Sequence, residues 1–267
     1  MAFYNSHRPS SGGRKEPRWI KVNIHDINSI KPALANVSVI YHLIGIIAET
    51  RTLSFEQTMI RGTRNLIDAG RSSGVRKIIY LSALGTSSNP VTKYFSAKWE
   101  SEQIIRNSGL EYVILRPSII YGPGDKFINV IARLLKYSPI MPVPVRGQQI
   151  VQPIYVNDLV AIMRQLLANE RALSRTLEIG GPVAMEYREM VSIIKKVLKK
   201  RAANVYIPLW LLNIMAVGME KLMKPAPFTT DQLKMLDQGN SCNNAEAFEV
   251  LDIKLTALED GLRNYLR

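Results

Sequence analysis

Along the first two thirds of the chain, short apolar runs alternate with segments whose apolar positions recur at helical spacing. This alternation predicts parallel strands covered by helices. VSVIYHLIG, residues 37 to 45, is an apolar, β-branched run that reads as a buried strand. Phe55, Met59, Gly62, Leu66 and Ile67 then follow at helical spacing, until Gly70 and Gly74 close the helix. VRKIIYLSALG, residues 75 to 85, is the next strand, and a helix from about Phe95 to Asn107 stops at Ser108 and Gly109. EYVILRPSIIYGPGD is a third buried run, with Pro117 marking its end and Gly122 and Gly124 making a tight turn.

Beyond Asp125 the pattern predicts a helix near Phe127 to Tyr137 and then an extended, proline-rich SPIMPVPV. VQPIYVNDLVAIMRQLL returns to strand and helix, with Asn157 or Asp158 near the cap, and TLEIGGP is one more short strand. Residues 186–267 read as helical and amphipathic, interrupted by Pro208 and by KPAPF. The expected organisation is a tail over 1–17, a nucleotide-type α/β domain over 18–185 with an insert at 122–149, and a smaller helical substrate or interaction portion over 186–267.

Composition bounds the partners. A chain of 267 residues, 46% hydrophobic and 21% charged, can bury a full core. Its one cysteine, Cys242, excludes an intrachain disulfide and a thiolate metal cluster and fits a reducing compartment. The polar start MAFYNSHRPSSGGRKEPRW lacks the apolar core of a secretory signal and reads as a loose tail, so the expected location is cytoplasmic or peripheral at the inner face of a membrane. A formal charge of +13 favours phosphates, nucleic acids or anionic lipid headgroups. The sharpest basic run, IKKVLKKR, places Lys195, Lys196, Lys199 and Lys200 on the exposed side of a helix, without the interleaved aromatics of single-strand binders; no specific nucleic acid is expected. LWLLNIMAVGM, residues 209 to 219, is too short to span a bilayer and reads as a core or pocket helix first, an interfacial membrane helix second. His7, His25 and His42 lie far apart and show no metal-ligand spacing. Neither a phosphate loop with Gly-Lys-Ser/Thr nor a nucleophile elbow is present.

The chemistry concentrates in KYFSAKWESEQ. Tyr94 and Lys98 stand one helical turn apart, so both project from one face. An ammonium beside a phenol lowers its pKa from about 10, and a phenol so tuned can carry the proton that accompanies hydride transfer at a carbinol or carbonyl carbon. Ser82, at the end of the preceding strand, could hold the same oxygen. With 11 tyrosines in the chain, such a pair also arises by chance about once.

Context supports the chemistry. The pair follows LSALG, opens a helix and precedes LRPSIIYGPGD, and from about Arg18 to Asp158 the chain resembles the extended and atypical short-chain dehydrogenase/reductases, which include the NAD-dependent epimerases and dehydratases. Within that group, SALG, YFSAKWESEQIIRNSGLEYVILRPSIIYGPGD, VQPIYVNDL and PAPFTTDQLKMLDQGN are most similar to the nucleotide-binding accessory subunits of respiratory complex I and their bacterial relatives. The resemblance implies a Rossmann-like parallel sheet that binds NAD or NADP, an unidentified small-molecule substrate, and oxidoreductase or epimerase/dehydratase-like activity. It makes Tyr94 the acid/base residue, Lys98 the contact to the nicotinamide ribose and Ser82 the substrate-side serine, with Ala83 there instead if the register shifts by one. Asp26 and Ile27 fall where the family meets the adenine. Leu43, Ile44 and Gly45 match the loop beneath the cofactor, Pro117, Ser118 and Ile119 the turn that meets the carboxamide, and Asp158 a structural aspartate.

Two departures stand out. Met59 occupies a position where extended members often carry Asn, which removes a polar support. The match begins at RWIKVNIHD, corresponding to a third strand, so the glycine-rich turn that takes the pyrophosphate is absent ahead of it; Gly12 and Gly13 follow no apolar strand. The expectation is a sheet lacking its first strands, with a gap before VSVIYHL, and a natural product starting roughly 40 residues upstream. Because relatives of the accessory subunit often bind nucleotide without turnover, the alternative to an enzyme is a noncatalytic accessory or assembly protein docked at a respiratory complex or an anionic membrane.

Overall fold

The computed structural model describes residues 2–4, 18–144, 147–222 and 229–266. Strands β1 (Ala2–Tyr4) and β2 (Trp19–Lys21) pair in parallel as a separate ladder. The short helix α1 (Ile27–Ile30) then leads to β3 (Val39–His42). A wide helical turn, Glu56–Arg61, runs without interruption into α2 (Gly62–Ser72), followed by β4 (Lys77–Leu81), α3 (Lys93–Arg106) and β5 (Glu111–Pro117). Next come β6 (Ile120–Tyr121), α4 (Ile128–Tyr137), β7 (Ile140–Pro144), β8 (Ile150–Val151), β9 (Ile154–Tyr155), α5 (Val156–Ala168) and β10 (Arg175–Ile179). The remainder holds β11 (Met185–Glu186), α6 (Tyr187–Leu198), β12 (Ala203–Ile207), α7 (Leu209–Leu222), α8 (Thr230–Asp237), α9 (Ala245–Val250) and α10 (Leu258–Arg263).

The main sheet is parallel, in the order β10-β5-β4-β3. Its strands read as continuous apolar runs because helices cover both faces. Ile40, Ile78, Tyr80 and Ile114 meet Leu66, Ile67 and Ile105 on one side, while Ile79, Val113, Leu115, Leu177 and Ile179 meet Leu159, Ile162 and Leu166 on the other. The break expected ahead of VSVIYHL is there: among the described residues, β3 pairs only with β4, and β1 and β2 pair only with each other. The stretch read as a loose tail differs in one respect, since Ala2–Tyr4 is a strand beside Trp19–Lys21; Gly12 and Gly13 lie outside the described residues.

The C-terminal third departs from a purely helical pattern. Residues 203–207 pair in parallel with the proline-rich β7, and Ala247, Val250 and Leu251 pack under the main sheet. A further core joins Ile128, Ile131 and Leu135 of α4 to Met190, Val191 and Ile194 of α6 and Leu258 and Leu262 of α10. Asp158 does not cap α5, whose N-cap is Tyr155; its carboxylate accepts from Thr256 N at 2.6 Å and Thr256 Oγ1 at 2.8 Å, tying the C-terminal segment to the sheet domain.

Candidate functional site

Four parallel strands end on one side of the sheet, and in open α/β folds ligands bind outside those carboxyl ends. Leu43, Ile44 and Gly45 follow β3, Ser82 follows β4, and Pro117, the last residue of β5, precedes Ser118 and Ile119. The side chain of Leu43 is exposed, and so is that of Ile47 beyond it. Helix α3 begins beside these ends, capped by Thr92, whose Oγ1 accepts from Phe95 N at 3.2 Å. Gly85, at φ +93°, lets the turn after Ser82 pass against Phe95: a Cβ there would sit 2.9 Å from the ring.

Tyr94 is partly buried, with its ring 5.5 Å from that of Phe95 and 6.2 Å from that of Phe55. Burial pushes its phenol up to about 12. Lys98 does share the inward face of α3, yet its ammonium is turned to the backbone: it donates to Leu81 O at 2.7 Å and stands 4.8 Å from the centre of the Tyr80 ring. Only 4% exposed, it is lowered by burial to about 8, an effect the Glu102 carboxylate opposes. In the resting site the phenol is thus raised by desolvation rather than acidified as the spacing suggested.

Ser82 is also committed. Its hydroxyl donates to Glu102 Oε1 at 2.6 Å, and Glu102, fully buried, receives a two-pronged Arg116 through Nε at 2.9 Å and Nη2 at 2.7 Å. Arg106 adds a longer contact to Oε2 at 3.4 Å, and Arg116 Nη1 reaches Glu178 at 3.3 Å. For Arg116, burial lowers the pKa, but the hydrogen bond and charge of Glu102 outweigh it and the guanidinium is raised. The motif reading did not single out Glu102 or Arg116. The available signal was a glutamate one turn after Lys98, a charge recurring on the buried face of α3.

His42, read as a core-satisfied strand residue, is buried, and its Nε2 lies 2.8 Å from Thr63 Oγ1. Because the threonine hydroxyl donates to Met59 O at 2.5 Å, it accepts from the ring, so Nε2 carries the proton and Nδ1 is a bare acceptor with no partner. Burial, and then the charge of Lys98, hold this imidazole neutral, down at about 3.

The remaining expected positions divide. Asp26 is exposed and caps α1, its Oδ1 accepting from Asn28 N at 2.9 Å; Ile27 is the first residue of that helix. Ser118 is buried and turned inward, donating to Gln152 O at 2.5 Å, and Ile119 N donates to Asn240 Oδ1 at 2.7 Å. The turn over Pro117, Ser118 and Ile119 is thus braced by the segment after α8. A cleft of about 390 Å3 is lined by Ile47, Ala48, Glu49, Thr50, Ser54, Phe55, Lys93, Glu220, Thr229, Thr230 and Asp231, so it adjoins the start of α3. The larger hollow, about 720 Å3, is lined by His25, Glu56, Gln57, Arg61, Arg64 and Asn65 and touches none of Tyr94, Lys98 or Ser82. Size alone does not locate the chemistry.

Residues 3–180 match the NAD dependent epimerase/dehydratase family. The chain belongs to that family. The match starts ahead of Arg18 and takes in β1. Similar to this family member are NADH dehydrogenase (ubiquinone) 1 alpha subcomplex subunit 9, mitochondrial, of Arabidopsis thaliana, at 28% identity over 92% of this chain and 67% of that protein, and its counterpart in Rattus norvegicus, at 24% over 90% and 64%. The NADH-ubiquinone oxidoreductase 40 kDa subunit, mitochondrial, of Neurospora crassa is 24% identical over 86% of this chain and 61% of that protein. The chain thus spans about two thirds or less of these relatives. Among solved structures, epimerase Mth375 of Methanothermobacter thermautotrophicus superposes with a TM-score of 0.75 at 16% identity, covering 94% of this chain and 77% of that one. UDP-glucuronic acid 4-epimerase of Bacillus cereus, in complex with UDP-glucuronic acid and NAD, gives 0.69 at 19%, covering 93% and 80%. At such identities the likeness establishes the fold. Within this epimerase/dehydratase fold no described helix is long and apolar enough to cross a membrane.

Proposed function

We propose that this chain binds a nicotinamide dinucleotide, NAD or NADP, at the carboxyl ends of β3, β4 and β5, and uses Tyr94 as proton carrier in an oxidoreductase or epimerase/dehydratase-like reaction. The observation that carries the reading is the buried ammonium of Lys98 beneath Gly45. A Cβ on that residue would approach Nζ to 3.4 Å, so the glycine leaves the strand end open above a cation, between the exposed Leu43 and Ile47. These residues fit a flat apolar ring carried on a hydroxyl-rich sugar. The dinucleotide, when bound, accepts or donates hydride. Lys98, which donates to the Leu81 carbonyl, would hold the ribose through a hydroxyl, and its positive charge turned towards the Tyr94 oxygen would lower the phenol from about 12. Tyr94 O–H donates its proton to a carbonyl oxygen of the substrate in reduction and takes it back in oxidation. The cleft beside Lys93 is the natural substrate space.

A second reading is a noncatalytic nucleotide-binding accessory subunit of a respiratory membrane complex. It is favoured by Ser82, whose hydroxyl is committed to the buried Glu102 at 2.6 Å, and by relatives named as subunits of NADH dehydrogenase. The test is titration of the purified chain with NADPH and NADH by fluorescence, followed by turnover assays on carbonyl and nucleotide-sugar substrates. Binding with turnover lost in Tyr94→Phe supports the enzyme. Binding with wild-type and Tyr94→Phe equally inert selects the accessory subunit, and failure of both cofactors to bind at millimolar concentration removes both readings.

A further inference from the structure

Helix α7 leaves an apolar face in solvent. Trp210, Ile214 and Val217, with Lys221 below them, follow one another at i, i+4, i+7 and i+11, and Leu211, Met215 and Leu222 run alongside. All of these side chains are exposed, Trp210 by 64% and Ile214 by 62%, whereas Ala216 on the opposite side is fully buried. That opposite side is fastened to α8, since Glu220 accepts from Thr230 N at 2.7 Å and Thr230 Oγ1 at 3.1 Å. The helix is apolar on both sides: Leu209, Leu212, Ala216 and Met219 are partly or fully buried on the fastened side, and a second apolar face is left to solvent. The strand leading into α7 adds Val205 and Tyr206, also exposed. An exposed apolar helix face of this kind marks an interaction site.

Charge identifies the occupant. Of the basic run ahead of β12, Lys195 is turned inward to Ala202 O and Asn204 Oδ1, both at 2.6 Å, and Lys196 pairs with Glu259 at 2.8 Å. Lys199, Lys200 and Arg201 are exposed, and their side chains make no hydrogen bond or ion pair among the described residues. Along the chain, cations thus flank the apolar segment, three before β12 and Lys221 in the last turn of α7. At about 1.5 Å per residue the helix is roughly 21 Å long, so it can lie along a bilayer but not cross it. A second copy fits poorly. A two-fold contact through α7 would bring together two chains of formal charge +13, with Lys199, Lys200 and Arg201 on both.

We propose that α7 and the basic segment 199–201 form a surface for an anionic lipid bilayer, with Trp210, Ile214 and Met215 entering the headgroup region and the cations meeting lipid phosphates. The experiment sediments the 267-residue chain with phosphatidylcholine vesicles and with vesicles containing 30% phosphatidylglycerol, at low and at 0.5 M salt. Expected is salt-sensitive binding to the anionic vesicles, with a blue shift of tryptophan emission that Trp210→Phe removes. Joint Lys199→Gln, Lys200→Gln and Arg201→Gln should weaken binding on the order of 100-fold, at ~5-fold per cation. Ile214→Asp should weaken it about tenfold or more while leaving the thermal midpoint and circular dichroism unchanged, because its side chain is exposed. Met215→Gln, also at an exposed position, provides an independent variant. Equal partitioning to both vesicle types, or no sedimentation at all, overturns the proposal. So does a dimer by light scattering that Ile214→Asp converts to monomer, which would make the face a contact between copies.

Discussion

The floor of the candidate site and the outer face of α7 break the same rule in opposite directions. Beneath the strand ends Lys98, Glu102 and Arg116 place charges in the core, while on α7 Trp210, Ile214 and Leu222 place large apolar groups in solvent. Buried charges survive only when paired, and each charge here is: Glu102 with Arg116, Lys98 with a carbonyl and the Glu102 field. Exposed apolar groups cost nothing comparable inside the folded chain, since nothing there depends on them. The polar floor should therefore be read through stability and ligand affinity together, and the apolar face through binding alone.

The largest effect expected is at Glu102. Glu102→Ala leaves Arg116 and Ser82 without their partner in the core, and unfolding in urea should show a loss of about 3–5 kcal/mol. A loss under about 1 kcal/mol would mean that the network is not what holds β4, α3 and β5 together. Next comes chemistry: Tyr94→Phe keeps the ring packing but removes the proton, so turnover should fall by about 100-fold or more with cofactor affinity little changed, whereas Lys98→Met should reduce both.

A third effect separates the two regions by pH. Lys98 is lowered by burial to about 8, so above that pH the native state loses a proton that the unfolded chain keeps until near 10.5. Cofactor affinity should decline as pH rises through about 8, because the neutral amine no longer presents a charge to the ribose, and the decline should vanish in Lys98→Met. Stability moves the other way. Burying the ammonium costs stability below about 8, and between there and 10.5 the unfolded state holds more protons, so this cost fades as pH rises. Vesicle binding through α7 should show no such step. The smallest effect is Ile214→Gln, which should change unfolding free energy by less than about 0.5 kcal/mol. A larger loss would mean that α7 packs against something in the folded chain after all.

The parallel sheet was legible in the sequence because both of its faces are covered: KIIYL and VIL have no polar alternation to confuse the period, and the helices between them carry clean apolar spacing. The candidate site was legible only as positions. Tyr94, Lys98 and Ser82 could be placed near strand ends from LSALG and KYFSAK, but not their hydrogen bonds, since Ser82 and Glu102 are twenty residues apart and meet only once α3 has docked on β4 and β5. The same holds for Asp158, expected near a cap and found holding Thr256, and for Lys195, counted on an exposed face and found turned inward.

What the sequence determined by itself is periodic and local: the alternation of strand and helix, the one-turn spacing of Tyr94 and Lys98, the cations that flank α7, and the family motif. What the tertiary structure decided is direction. Whether an ammonium faces a phenol, a carbonyl or a carboxylate, and whether an apolar helix turns its broad face to the core or to solvent, depends on which distant groups arrive beside it. Glu102 reached Ser82 and Arg116 through sheet docking, and Glu220 fastens one side of α7 to α8 by bonding Thr230. Desolvation and pairing are set by such neighbours, and a linear sequence states the charges without stating who will stand next to them.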